Sequence, residues 1–436
     1  MRSTGIESTG GSGTLTRSAV DSLLCYLRFP RSPSRVARRV AARRRQIIFG
    51  QTLLVLSVAI VSCSHQASQS SPSVAVPGGA YASLRPTFEV DSEVDAAWEA
   101  LEEAEIQFGS QDRIVATRLH ELSDLYHDRG RYDLALALRS SLLAEQERRL
   151  GSDHLDVAEN LEYLSVDYFG KDDYSSAERA LRRAIAIREK AQGPNDIEVA
   201  PTLDLLGIFY DSQKRYQEAG AVYERSLTIR ESALGAEHLD VANSLISLGS
   251  VYLDQGLSAE ALRLYDRALE IRRSKLGKQH RLIASSLYLI ARAREERKEY
   301  ALAEESYLRS VKVQELASGV NDARVASRLD SLALFYWRRD RYGEAESIYE
   351  RSIAIRESGL GIAHPDAAEA RDSLATFFWV EGRYAKAEAV YRRSLGIAEA
   401  SQGAEHPDVS KIREDLARVL KMQGRYSEAQ ALYDAH

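Results

Sequence analysis

The sequence predicts an all-α fold, a solenoid of eight antiparallel helix pairs, on three observations. Glycine recurs at 109, 151, 193, 235, 277, 319, 361 and 403, a period of 42 residues without insertion or deletion. Alanine keeps the same register at 135, 177, 219, 261, 303, 345, 387 and 429, as does tyrosine at 132, 174, 216, 300, 342, 384 and 426, with Ser258 the exception. Within each unit, two segments carry apolar residues at helical spacing. Self-similarity over eight units is the mark of a repeat architecture, in which each unit buries its apolar face only by stacking on its neighbours.

Along the chain the reading is as follows. Residues 1–45 form a basic extension rich in Gly and Ser at its start. Residues 46–62 are an apolar segment of 17 residues, 63–91 a linker, 92–108 a single helix, and 109–436 the eight repeats. The linker is rich in Ser, Ala, Gln and Pro, a composition that gives the chain little to bury. In the helix, Val94, Ala97, Trp98, Leu101 and Ala104 share one face, which is expected to cover the first repeat.

Charge is divided unevenly. Residues 1–62 hold ten Arg, no Lys and only Glu7 and Asp21, a net of +8; the whole chain is −6, so the remainder carries −14. An acidic body repels phosphate backbones, which argues against nucleic acid and for a basic protein or peptide as partner. The only cysteines are Cys25 and Cys63, so the repeats contain neither disulfides nor cysteine-rich metal sites.

In the representative unit, the first helix carries Leu245, Leu248, Gly249 and Tyr252 and the second Ala261, Tyr265 and Ala268. Neighbouring units repeat the pattern as Leu203, Leu206, Gly207, Tyr210, Ala219, Tyr223, Ser226 and as Leu329, Leu332, Ala333, Tyr336, Ala345, Tyr349, Ser352. This resembles the tetratricopeptide repeat. The resemblance covers residues 109–436 and implies a right-handed superhelix with the first helices lining its concave side. The longer connection, Leu360-Gly361-Ile362-Ala363-His364-Pro365-Asp366, resembles the repeat of kinesin light chains, although nothing here resembles their coiled coil.

The connection carries its own signals. Glycine after the second helix is expected in the left-handed conformation that closes a helix. Three residues later come Asp112, His154, Asp196, His238, His280, Asp322, His364 and His406, each able to accept a hydrogen bond from the next helix's free N–H groups. Pro365 and Pro407 suit the first helical position. The histidines, one per repeat, lie too far apart for a shared metal ion, so capping is the reading and no metal is expected. No phosphate loop, nucleophile motif or metal spacing appears, so we expect no enzyme, no catalytic residue and no cofactor.

By the same resemblance, groove-facing positions read Glu162, Val166, Phe169; Asp204, Ile208, Asp211; Ile246, Ser250, Leu253; Tyr288, Arg292, Glu295; Asp330, Leu334, Trp337; and Asp372, Thr376, Trp379. Of these, Phe169, Asp204, Asp211, Tyr288, Glu295, Asp330, Trp337, Asp372 and Trp379 are the candidate peptide groove, suited to a basic segment with apolar or aromatic side chains. The alternative is that both tryptophans pack on the adjacent hairpin and the carboxylates are a solvated face. Kinesin light chains commonly carry paired asparagines at the first of these positions and its neighbour; here the pairs are Asp204-Leu205, Ile246-Ser247, Tyr288-Leu289, Asp330-Ser331 and Asp372-Ser373.

Upstream, Arg43-Arg44-Arg45 precedes the apolar stretch and then Ile60-Val61-Ser62-Cys63, the order of parts in an export signal. Those four residues resemble the lipobox of bacterial lipoproteins. The resemblance implies lipid attachment at Cys63, cleavage before it, and an anchor in the bacterial envelope, with Ser64 leaning toward the outer membrane. An uncleaved inner-membrane signal anchor, or a cytoplasmic regulatory protein, stays open. The functional expectation is a tethered, non-enzymatic adaptor. The competing one is a scaffold that self-associates or docks on an envelope complex, since the last hairpin ends at His436 without a polar capping helix.

Overall fold

In the computed structural model the described residues are 80–86 and 91–434. Cys63, the apolar segment and most of the linker lie outside them. Among the described residues the fold is all-helical: a short 3₁₀ turn at Ala82–Leu84, then 17 α-helices and no strand. Helix α1 is Ser92–Phe108. The first helices of the eight hairpins are α2 (Arg113–Asp128), α4 (Leu155–Gly170), α6 (Val199–Ser212), α8 (Leu239–Asp254), α10 (Arg281–Glu296), α12 (Ala323–Trp337), α14 (Pro365–Val380) and α16 (Pro407–Met422). The second helices are α3 (Tyr132–Leu150), α5 (Tyr174–Gln192), α7 (Tyr216–Leu234), α9 (Ser258–Leu276), α11 (Tyr300–Ser318), α13 (Tyr342–Leu360), α15 (Tyr384–Gln402) and α17 (Tyr426–Asp434). Two compact units result, one ending at Ala268 and the other beginning at Leu269, a division that falls within α9.

The N-terminal unit shows why the repeat signature works. Leu203, Leu206, Tyr210, Ala219 and Tyr223 are buried in one cluster with Phe169 and Phe209. At Gly207 a Cβ would meet the Tyr223 ring at 2.7 Å, and at Gly249 it would meet Tyr265 at 2.7 Å, so glycine here is what lets the paired helices close. Trp98 of α1 is 1% exposed, and its Nε1 donates to the Tyr126 hydroxyl at 2.9 Å, joining α1 to the first hairpin. In the C-terminal unit aromatic residues fill the same role: Tyr307 lies 5.3 Å from Phe335, and Tyr349 5.9 Å from Phe377.

The connections behave largely as the sequence predicts. Asp112, His154, His238, His280, Asp322, His364 and His406 are N-cap residues whose side chains accept from the N–H two residues on. Asp196 accepts likewise from the Glu198 N–H, but α6 starts only at Val199, so Glu198 holds the cap position. Pro365 and Pro407 open their helices.

One expectation is corrected. The glycines that follow the second helices at 151, 193, 235, 319, 361 and 403 are not in the left-handed helical basin. Gly151 has φ 88° and ψ 156°, an extended mirror conformation that only glycine adopts freely, with its N–H on the Glu147 carbonyl. The left-handed residues lie instead in the turn inside each hairpin, where Asp172, Lys214, Lys298 and Asp340 have φ of 63°, 62°, 61° and 58° and glycine takes the equivalent place at 130, 256, 382 and 424.

Candidate functional site

The sequence makes the first-helix face a row of carboxylates with apolar points, and the structure divides that row. In the N-terminal unit, Phe169 is buried and stacks on Phe209 at 4.5 Å. Asp204 is buried too: it pairs with Arg230 of α7 and accepts from the Ser226 hydroxyl at 2.6 Å. Asp211 is 3% exposed.

In the C-terminal unit, Tyr288 is buried with the Arg328 guanidinium 4.6 Å above its ring, a cation–π contact. Glu295 is buried, accepts from the Tyr307 hydroxyl at 2.9 Å and pairs with Arg338 at 3.3 Å. Asp330 is half-buried against Arg356 and Ser352 of α13. Trp337 is half-buried too, edge-on to Phe377 of the following hairpin at 6.2 Å, with Nε1 donating to Glu381 at 3.0 Å.

Helix α14 is the open part. Asp372 is half-buried, Thr376 is exposed, and Trp379 is 40% exposed. The three lie four and three residues apart, so they share one face of the helix. Among the described residues no side chain donates a hydrogen bond to Asp372. Burial pushes its carboxyl above the ordinary aspartate value, and the charge of Lys411 only partly opposes this. Burial and the charge of Asp372 raise Asp415 in the same way, although Arg418 donates to it at 2.8 Å. The two tryptophans therefore differ: Trp337 packs toward the next hairpin, and Trp379 faces out.

Sequence reasoning missed the arginines. Glu162, Asp204 and Asp330 each pair with an arginine 26 residues on, Arg188, Arg230 and Arg356. The signal was legible, because these arginines occupy one column of the 42-residue register on the second helices. A second missed network sits in the first hairpins. Arg139 is buried between Asp124 and Asp167, and Asp167 also meets His127 Nδ1 at 2.7 Å. Among the described residues no group of three or more His, Cys, Asp or Glu could hold a metal ion, and no helix is long and apolar enough to cross a membrane.

Comparison with known proteins agrees with the helical pairing. A tetratricopeptide-repeat family model matches residues 99–190, 198–274, 245–316 and 372–435, and a second model of the same description matches 325–366. With more than half of its length matched, the chain belongs to the tetratricopeptide-repeat family. Among solved structures, similar chains include BtubC (BKLC) from P. vanneervenii, with 21% identity, a TM-score of 0.46, and coverage of 54% of this chain and 94% of that one. A putative kinesin light chain with nearly identical TPR-like repeats from Podosopora anserina has 23% identity, a TM-score of 0.42, and coverage of 46% and 94%. The apo quorum sensor NprR from B. thuringiensis has 16% identity, a TM-score of 0.43, and coverage of 78% and 96%. No curated protein matches the chain.

Proposed function

We propose that this protein is a non-enzymatic adaptor that binds a basic protein or peptide segment on the first-helix face of hairpins six and seven. The observation that carries the reading is the open side of α14, where Trp379 and the unbridged Asp372 stand on one face. Repeat proteins of this kind are typically interaction scaffolds, and function lies in the side chains grafted on the fold. An exposed aromatic supplies contact area and an unpaired carboxylate supplies charge selectivity. The test is capture of partners from a source lysate by the wild type and by Trp337→Ala/Trp379→Ala, with helical content checked by circular dichroism. Loss of the captured proteins in the folded double variant is expected; an unchanged set would sink the reading.

The proposal extends to tethering. The order of arginines, apolar segment and Cys63 supports a lipid anchor outside the cytoplasm, with the linker holding the repeats away from the bilayer. Expression in a Gram-negative host with a fatty-acid analogue should label the native protein and not Cys63→Ala. Equal labelling of both, or of neither, discards the lipid anchor.

A further inference from the structure

Hairpin seven departs from its siblings in one respect that bears on the ligand. In hairpins two, three and six the acid of the first helix is closed from within by the arginine 26 residues on: Glu162 by Arg188 at 2.9 Å, Asp204 by Arg230, and Asp330 by Arg356. Hairpin seven keeps the acid as Asp372 and the accompanying serine as Ser394, but the arginine position holds Ala398. The serine is engaged elsewhere, by Arg371 Nε at 3.3 Å, and Arg371 itself is committed to Glu357 at 2.8 Å. The cation that belongs to this register is missing, and its carboxylate is left half-buried, where desolvation disfavours the charged form.

The surroundings select the sign and shape of what completes it. Glu369, one turn before Asp372, has a carboxyl raised by desolvation and by the charges of Asp366, Asp330 and Asp372, with Arg356 opposing. Lys411 is the cation whose charge acts on Asp372, and Arg418 is bonded to Asp415. Two turns further along α14 stands the exposed Trp379. At about 1.5 Å of rise per residue the two anchors are roughly 10 Å apart along the axis. An extended peptide rising about 3.3 Å per residue covers that distance in about three residues.

Resting on the adaptor reading above, we propose that Asp372 is a socket for an arginine of the partner, which takes the place of the absent internal arginine while an apolar or aromatic side chain three residues away lies on Trp379. The ligand class is an extended segment of the form Arg-x-x-Φ or its reverse, Φ being aliphatic or aromatic. Guanidinium suits the site because it pairs with a carboxylate through two parallel N–H donors, as Arg356 does with Asp330.

The test uses the full chain and fluorescein-labelled peptides of both orders with Φ as Leu, Phe or Trp, each matched to a twin carrying citrulline, the uncharged isostere, in place of arginine. Anisotropy titrations are expected to show at least one arginine peptide bound about tenfold more tightly than its twin. Ala398→Arg, which restores the sibling residue and should leave the circular dichroism spectrum unchanged, is expected to weaken that peptide by about tenfold, because the internal guanidinium fills the socket. Arginine peptides that bind no better than their citrulline twins overturn the proposal, as does affinity insensitive to Ala398→Arg. Should Trp337→Ala/Trp379→Ala abolish binding while Ala398→Arg does not, the adaptor reading stands and the socket falls.

Discussion

Hairpins six and seven share a scaffold and differ in what they leave open. Both carry an aspartate on the first helix, a serine 22 residues on and a tryptophan two turns beyond the aspartate. In hairpin six Arg356 reaches back to Asp330, and Trp337 leans on Phe377 and donates to Glu381. In hairpin seven Ala398 stands where the arginine would be, and Trp379 is 40% exposed. One side-chain truncation on a second helix thus turns a closed structural pair into a half-buried acid without its arginine, with the backbone register unchanged. Repeat proteins specialise in this way, because stacking fixes the scaffold and leaves single columns free to vary.

Three perturbations break or sharpen the contrast. The largest effect belongs to Arg139, where the internal cation is fully buried with side chains of Asp124 and Asp167 that are 7% and 0% exposed. Arg139→Met leaves two buried carboxylates without their shared cation and is expected to cost about 3–5 kcal/mol in urea denaturation. A loss below about 1 kcal/mol would show that a buried acid in this fold tolerates a missing arginine, and the contrast drawn for hairpin seven would lose its force.

Next comes a paired comparison. Asp330→Asn leaves Arg356, 11% exposed, without its carboxylate and should cost about 1–3 kcal/mol. Asp372→Asn should be neutral or stabilising at neutral pH. The sign follows from the raised folded-state value of Asp372: its contribution is present at acid pH and lost as pH rises through that value, so deleting the charge relieves the folded protein. Similar losses from both substitutions would indicate that Asp372 is bridged after all.

The smallest effect is at a cap. His280 Nδ1 accepts from the Leu282 N–H at 3.2 Å, and burial, followed by the charges of Arg281 and Arg272, lowers its pKa below the ordinary 6.5. A protonated imidazole cannot accept, so this capping contribution is complete above the unfolded-state value and lost as pH falls through the lowered one. Nuclear magnetic resonance titration of His280 should give a midpoint below 6.5; a midpoint above it would contradict this environment.

Much of the fold was legible because stacking imposes strict periodicity. Gly207 and Gly249 could be read as contact points, and the Asp and His caps as helix starts, since each follows from local sterics or hydrogen bonding. The turn column headed by Asp172 and Lys214 was not legible as left-handed, because half of it carries ordinary side chains that tolerate that conformation only when the surrounding hairpin enforces it. The ψ of the connecting glycines was equally hidden, since glycine identity reports freedom and not which basin is used. The row of carboxylates was visible as acidic. Which members were closed depended on arginines one helix away: the 42-residue register lines up Arg230, Arg356 and Ala398 in one column, but that this column faces the acids of the first helices is seen only in the three-dimensional pairing.

On the adaptor reading, the first-helix face of hairpins six and seven receives the partner. The most direct measurement is site-specific photo-crosslinking from an incorporated photoreactive amino acid in full-length protein. One probe replaces Thr376, exposed between Asp372 and Trp379, and the other replaces exposed Arg393 on the second helix of the same hairpin. Partner adducts at position 376 and not at 393 are predicted. Adducts at 393 with none at 376 would contradict the claim and move recognition to the second-helix face.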